Sequence, residues 1–377
     1  MVDEPGTDPG SGLIEAEDLT SDEYEEITAA EPEAGPVSYS GTDFDVEGLV
    51  RRLVRGDIAI PSFGHGDPTL EVAGFQRGFV WRRPQMDRFI ESLLLGFPIP
   101  GIILVQQVDK RYLVLDGQQR LRTLKAFYEG LHNKKEFVLE NVAKEFKGLT
   151  YRTLTPELRR QLDNTFIQAT IVRTDGSRSS LEAIYQVFER LNSGGTQLTP
   201  HEIRIALYPG AFVELLAQVN EIEEWRDLYG AKSPRLRDQE LILRIFALYL
   251  NAENYTAPQK KFLNDFLGRY RELAGFPTEQ VVYLFRQSAK LLLEAEGRRA
   301  LRYQSSQVNA ALTEAVFVGL MRRQEATRRP VDPENVPVAL NSLTSNPEMT
   351  AAISRATANE DAVRTRLELA TRSFESV

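Results

Sequence analysis

Residues able to do chemistry concentrate between Tyr112 and Leu131, YLVLDGQQRLRTLKAFYEGL, and above all in Asp116-Gly117-Gln118-Gln119-Arg120. A carboxylate, a residue free to take positive φ, two carboxamides and a guanidinium follow one another without a break, with Arg122 and Thr123 one turn further on. Arginine grips an anion with a planar fork and a carboxamide can orient a water, so the set suits phosphate chemistry. Tyr112 to Leu115 reads as a buried strand, and Leu121, Leu124, Tyr128 and Leu131 recur at helical spacing. The polar residues therefore fall where a strand turns into a helix, whose first N–H groups and dipole attract anions. A plainer reading fits the same residues: Asp116 as an N-cap, Gly117 as a turn residue, and the next three as a solvated first turn.

Composition bounds the chemistry. The 377 residues include no cysteine, which excludes disulfides, thiol catalysis and Cys-ligated zinc. Of the three histidines, His65 has no second histidine or carboxylate at ligand spacing, and His201-Glu202 is not a His-Glu-X-X-His pair because position 205 is Ile. The longest apolar run, Leu93 to Val105, is broken by Gly96, Pro98, Pro100 and Gly101, and no N-terminal signal pattern is present. A soluble, cytoplasmic protein without a membrane span is the expectation. The net charge of −9 hides an asymmetry: residues 1–50 hold 15 Asp and Glu and no Lys or Arg, leaving 39 acids against 45 bases beyond them. That body carries 35 Arg to 10 Lys, a balance compatible with a nucleic-acid or nucleotide partner.

Taken in order, residues 1–42 form an acidic leader expected to be disordered. It reads either as a solubilising tail or as a phosphate mimic that folds over the basic body. Asp43 or Asp45 caps a helix Val46 to Arg55 that ends at Gly56. A strand Asp57 to Pro61, a loop Phe63 to Gly74, a helix from Pro84 through Leu94 and a hairpin of Ile102 to Gln107 with Tyr112 to Leu115 follow. Lys134 to Val142 and Phe166 to Val172 read as further strands and Leu181 to Leu191 as a helix. Thr199 and Glu202 have capping-box spacing. From Ala211 the chain reads as helices only: Ala211 to Glu224, Gln239 to Asn251, Pro258 to Leu273, Thr278 to Gly297, Ser306 to Arg328, Val336 to Leu343 and Asn359 to Phe374. Leu241 to Leu250, apolar nearly all round except Arg244, marks a central helix. Arg237 and Asp238 read as a local cap and pair. Arg298, Arg299, Arg302, Arg322, Arg323, Arg328 and Arg329 read as solvated helix ends or as a track for a phosphate backbone. The fold class is α+β: a small mixed-sheet domain over residues 43–208 and an all-helical domain over 209–377.

VLDGQQRLRTL resembles the Asp-Gly-Gln-Gln-Arg motif of the N-terminal domain of GmrSD-type modification-dependent restriction proteins, also found in SspE-type phosphorothioate-sensing defence proteins. Phe75-Gln76-Arg77-Gly78-Phe79-Val80-Trp81-Arg82-Arg83-Pro84 resembles the family's other N-terminal signature, and Asn192-Ser-Gly194-Gly195 before Leu198-Thr199 resembles its Gly-containing turn. Pro234-Arg235-Leu236-Arg237-Asp238 onward is similar to the family's C-terminal helical part. The resemblance implies a ParB/sulfiredoxin-like sheet domain with a nucleoside triphosphate against the Asp116 turn. It implies that Arg120, Arg77 and Arg122 hold phosphates, with Gln76, Gly117, Gln118, Thr123, Asn192 and Gly194 lining the pocket. Gln118 or Gln119 would orient the attacking water and Asp116 would hold Mg²⁺ or that water, so Asp116, Gln119 and Arg120 are the catalytic candidates. Larger relatives carry a His-Asn-His nuclease domain, and this sequence stops where that domain would begin. A nuclease partner in trans, DNA as a further partner and a homo-oligomer are the corresponding expectations. The function implied is a nucleoside triphosphate-binding and hydrolysing regulatory component of a DNA-targeting defence or restriction system. The alternatives are a non-enzymatic DNA-binding or modification-sensing module and a weak Mg²⁺-dependent nickase.

Overall fold

The computed structural model describes residue 23 and residues 37–60, 81–191, 198–329, 331–375 and 377. Strand β1 (Tyr39–Asp45) runs directly into helix α1 (Val46–Arg55). The Asp45 carboxylate accepts from Gly48 N at 2.6 Å, and Gly56, at φ 79°, closes the helix by donating to the Arg52 and Leu53 carbonyls. Both caps are the ones expected, because each is a bond between near neighbours. No strand was expected at 39–45; its partner is Phe166–Arg173, more than a hundred residues on, so local pattern carries no sign of it.

Strand β2 (Ile58–Ala59), helix α2 (Arg83–Leu94), strands β3 (Ile102–Gln106) and β4 (Tyr112–Asp116) and helix α3 (Gln118–Glu129) follow. Short strands β5 (Leu131–His132) and β6 (Lys135–Glu136), helix α4 (Pro156–Asp163) and strand β7 (Phe166–Arg173) complete the sheet region. The main sheet has the order β1-β7-β3-β4-β2, with β1/β7 and β3/β4 antiparallel and β7/β3 and β4/β2 parallel. Ile102, Leu104, Val114, Ile167 and Ala169 bury one face against α1–α4. Val105, Leu113, Leu115 and Val172 bury the other. Covering both faces explains why these strands read as continuous apolar runs.

The expected strand Lys134 to Val142 is corrected: only Lys135 and Glu136 pair, in a two-stranded hairpin with β5. Beyond it Leu139 N donates to the Leu149 carbonyl at 2.9 Å, and the N–H groups of residues 140 and 141 are satisfied by α2. Buried Asp87 accepts from Glu140 N at 3.2 Å, Asn141 N at 3.0 Å and Asn141 Nδ2 at 2.8 Å, and its partner Arg83 stacks on Phe137.

The remainder is helical: α5 (Arg178–Leu191), α6 (Pro200–Leu207), α7 (Ala211–Asn220), α8 (Glu223–Tyr229), α9 (Arg237–Asn251), α10 (Gln259–Arg269), α11 (Thr278–Glu296), α12 (Ala310–Thr327), α13 (Val336–Ser345), α14 (Pro347–Ala352) and α15 (Glu360–Glu375). The arrangement is α+β. One hydrophobic cluster runs from the second sheet face through α5 and α6 into these helices. The single helix expected at Ala211 to Glu224 is two; the side chain of buried Asn220, at the end of the first, accepts from Trp225 Nε1 at 2.9 Å in the second and donates to Asp238 at 3.0 Å. Helices α9 and α12 are both central, and the Arg244 charge meets buried Glu314 of α12, which also holds Arg366 of α15. Burial pushes the Glu314 carboxyl up, but the two guanidiniums outweigh that and hold it below the usual range. Arg298 and Arg302 are not a phosphate track. They donate to the Asp227, Leu228 and Tyr229 carbonyls and so cap the end of α8.

Candidate functional site

Strand β4 carries Asp116 to the sheet's end, opposite Ile103 of β3. Gly117, at φ 93° and ψ 10°, then turns the chain into α3. Only glycine fits: the conformation is left-handed, and a Cβ there would stand 2.5 Å from Ile102 Cγ2. No side chain caps α3. The plain reading of Asp116 as an N-cap therefore fails; its Oδ2 accepts from Arg120 Nη2 at 2.6 Å instead.

Arg120 also donates to the Pro100 carbonyl at 3.3 Å. Its side chain is 12% exposed against 49% for Asp116, so the guanidinium is the covered member of the pair and the carboxylate faces solvent. Gln119 Oε1 accepts from Trp81 N at 3.4 Å, which fastens the end of the Phe75–Pro84 signature to the first turn of α3. Trp81 itself packs edge-to-face on Phe89 of α2. Gln118 is half-buried and makes no side-chain hydrogen bond to a described residue. Thr123 is fully buried and donates to the Gln119 carbonyl at 2.7 Å, so its hydroxyl is spent inside the helix. Arg122 is half-buried, and desolvation lowers its pKa.

Asp116, Gly117, Gln118, Gln119 and Arg120 are thus brought together at one helix start. Gln76, Arg77, Asn192, Gly194 and His65 lie outside the described residues. Asp116 fits Mg²⁺, since that ion is commonly held by one or two carboxylates with phosphates and water supplying the rest. Among the described residues no group of three or more His, Cys, Asp or Glu gathers as a metal centre. Sequence reasoning missed the Pro100 carbonyl and Trp81 N–H as struts of this turn, because a backbone group has no residue-type signature.

Helix α6 begins as its spacing predicts: Thr199 N donates to Glu202 at 2.7 Å and Glu202 N to Thr199 Oγ1 at 3.2 Å. Glu202 also holds Arg235 at 3.2 Å, which joins α6 to the start of α9. The expected local pairing of Arg237 with Asp238 is corrected. Asp238 takes Arg226 at 2.8 Å, while Arg237 binds Glu23. Among the described residues no helix is long and apolar enough to cross a membrane.

Comparison with known proteins adds one match. Residues 62–209 fit the family model described as GmrSD restriction endonuclease, N-terminal domain. No curated protein and no solved structure matches the chain. The matched stretch holds the hairpin, the Asp116 turn and helices α2 to α6, so this part of the chain is similar to the N-terminal domain of the GmrSD restriction endonuclease family.

Proposed function

We propose that the Asp116–Arg120 turn binds and hydrolyses a nucleoside triphosphate, and that the chain is the regulatory component of a DNA-targeting restriction system. The observation that carries this is the helix start without a side-chain cap and with Asp116 and Arg120 paired across its first turn. An i,i+4 pair of this kind is worth only about 0.3–0.5 kcal/mol. A phosphate can therefore take Arg120 from Asp116 at little cost, and the first N–H groups of α3 supply further donors. Asp116 is the carboxylate that would hold Mg²⁺, whose chemistry is to neutralise phosphate charge. In this reading Gln118 rather than Gln119 orients the water, because Gln119 Oε1 already accepts from Trp81 N. This moves the role from Gln119, the expected catalytic candidate, to Gln118.

Calorimetry with each of the four ribonucleoside triphosphates, beside a phosphate-release assay, tests the reading. Arg120→Ala and Asp116→Ala should each abolish turnover while unfolding free energy changes by less than about 0.5 kcal/mol. Unchanged turnover in both variants refutes the site. Salt-sensitive DNA binding with no nucleotide binding would replace the reading with that of a DNA-sensing module.

A further inference from the structure

The start of α9 already holds an anion. Arg237 donates through Nε to Glu23 Oε1 at 3.0 Å and through Nη2 to Glu23 Oε2 at 2.8 Å. The carboxylate is 6% exposed, although it belongs to the acidic leader and lies 214 residues away in sequence. A two-pronged, desolvated contact differs in kind from a tail drawn loosely to a basic surface by net charge, which leaves both partners hydrated.

The body prepares this socket. Leu236, buried at 2%, adopts the left-handed conformation at φ 56° and ψ 24°, a region costly for a residue with a Cβ. That twist separates its neighbours. Arg235 turns inward to Glu202, Asp238 turns inward to Arg226, Asn220 and Ser233 N, and Arg237 turns to the leader. The N-cap residue Leu236 supplies no side-chain cap, and in the first turn only the Asp238 carboxylate is seen to take a backbone N–H, that of Gln239 at 3.1 Å, among the described residues. A planar fork at a helix start fits a phosphodiester as well as it fits a carboxylate.

We infer that the Arg237 socket is a phosphodiester-binding site that Glu23 occupies in cis, so that the leader competes with DNA for the helical body. The leader's charge suits the role, since residues 1–50 carry 15 acids and no base while the rest of the chain is net positive. The inference rests on the DNA-partner part of the proposed function and is independent of the nucleotide site. Competition also predicts reciprocity: DNA should weaken the leader's hold by the factor by which the leader weakens DNA.

The test uses fluorescence anisotropy of a labelled 30-base-pair duplex with the full chain as wild type, Glu23→Gln, Arg237→Gln and the double variant, at two salt concentrations. Glu23→Gln should bind at least about fivefold more tightly than wild type, and the double variant should lose that gain. Equal affinity of Glu23→Gln and wild type overturns the inference, and so does a gain that persists without Arg237. A second measurement avoids altering the socket: a peptide of residues 14–34 added to the Glu23→Gln chain should restore wild-type affinity, and the same peptide carrying Glu23→Gln should not. Identical behaviour of the two peptides overturns the inference. DNA binding by none of the four proteins overturns it as well, while calorimetry at the Asp116 turn still reports on the nucleotide reading.

Discussion

Helices α3 and α9 begin alike and are used differently. Each follows a left-handed residue, lacks a side-chain cap and holds an arginine paired to an acid. At α3 the turn residue is Gly117, and the acid, Asp116, is four positions from its arginine and half exposed. At α9 it is Leu236, and the acid comes from the far end of the chain and is almost fully covered. The difference teaches what each start can respond to. A local, half-solvated pair yields to a small ligand that supplies a better anion. A buried, long-range pair yields only to something that displaces a whole segment, because either partner left alone is a desolvated charge.

The comparison can be broken from the side that holds α9 rigid. Glu314→Ala strands Arg244 and Arg366, and urea unfolding should show a loss of about 3–5 kcal/mol, the usual cost of breaking a buried pair by removing one partner. Gly117→Ala attacks the other start. Its positive φ and the 2.5 Å approach to Ile102 together should cost about 2–4 kcal/mol, with nucleotide binding lost on calorimetry.

Acid should distinguish the two starts. His201 on α6, beside the Glu202 that docks α9, is fully buried, and desolvation and then Arg204 push its pKa well below the usual 6.5. The folded state keeps this ring neutral while the unfolded state takes up a proton below about pH 6.5. Its stability contribution is therefore complete above that pH and is lost as pH falls, by up to about 1.4 kcal/mol per unit. His201→Asn should flatten the acid limb of a stability–pH curve, and Arg120→Ala should leave it unchanged. The smallest expected effect sharpens the comparison at Leu236. Both Leu236→Ala and Leu236→Gly lose the buried side chain, but the glycine variant should be the more stable by about 1 kcal/mol, since only it escapes the left-handed strain. Equal stability would show that the turn is unstrained.

Much of the site was legible. The Asp-Gly break between an apolar run and a helical period placed the turn at Gly117, and Asp45, Gly56 and the Thr199–Glu202 box marked helix ends. What was not legible was the use of each polar group. Asp116 offered a cap and made an ion pair; Gln119 offered a water-orienting amide and became a brace for Trp81. Arg298 and Arg302 offered a basic surface and became caps for α8. In each case residue type fixed which bonds were possible, and folding chose among partners.

The sequence alone determined much of what depends on near-neighbour bonds and on apolar period: the helix ends at Asp45, Gly56, Gly117 and Thr199, the hairpin and the helical second half. Tertiary structure alone decided that residues 39–45 join the sheet, that Asp87 rather than a neighbouring strand takes the N–H groups of residues 140 and 141, and that Arg237 meets Glu23 rather than Asp238. The physical reason is that these are pairings between groups far apart in the chain. Each polar group must find a partner once buried, but which one it finds depends on what the folded backbone brings within about 3 Å.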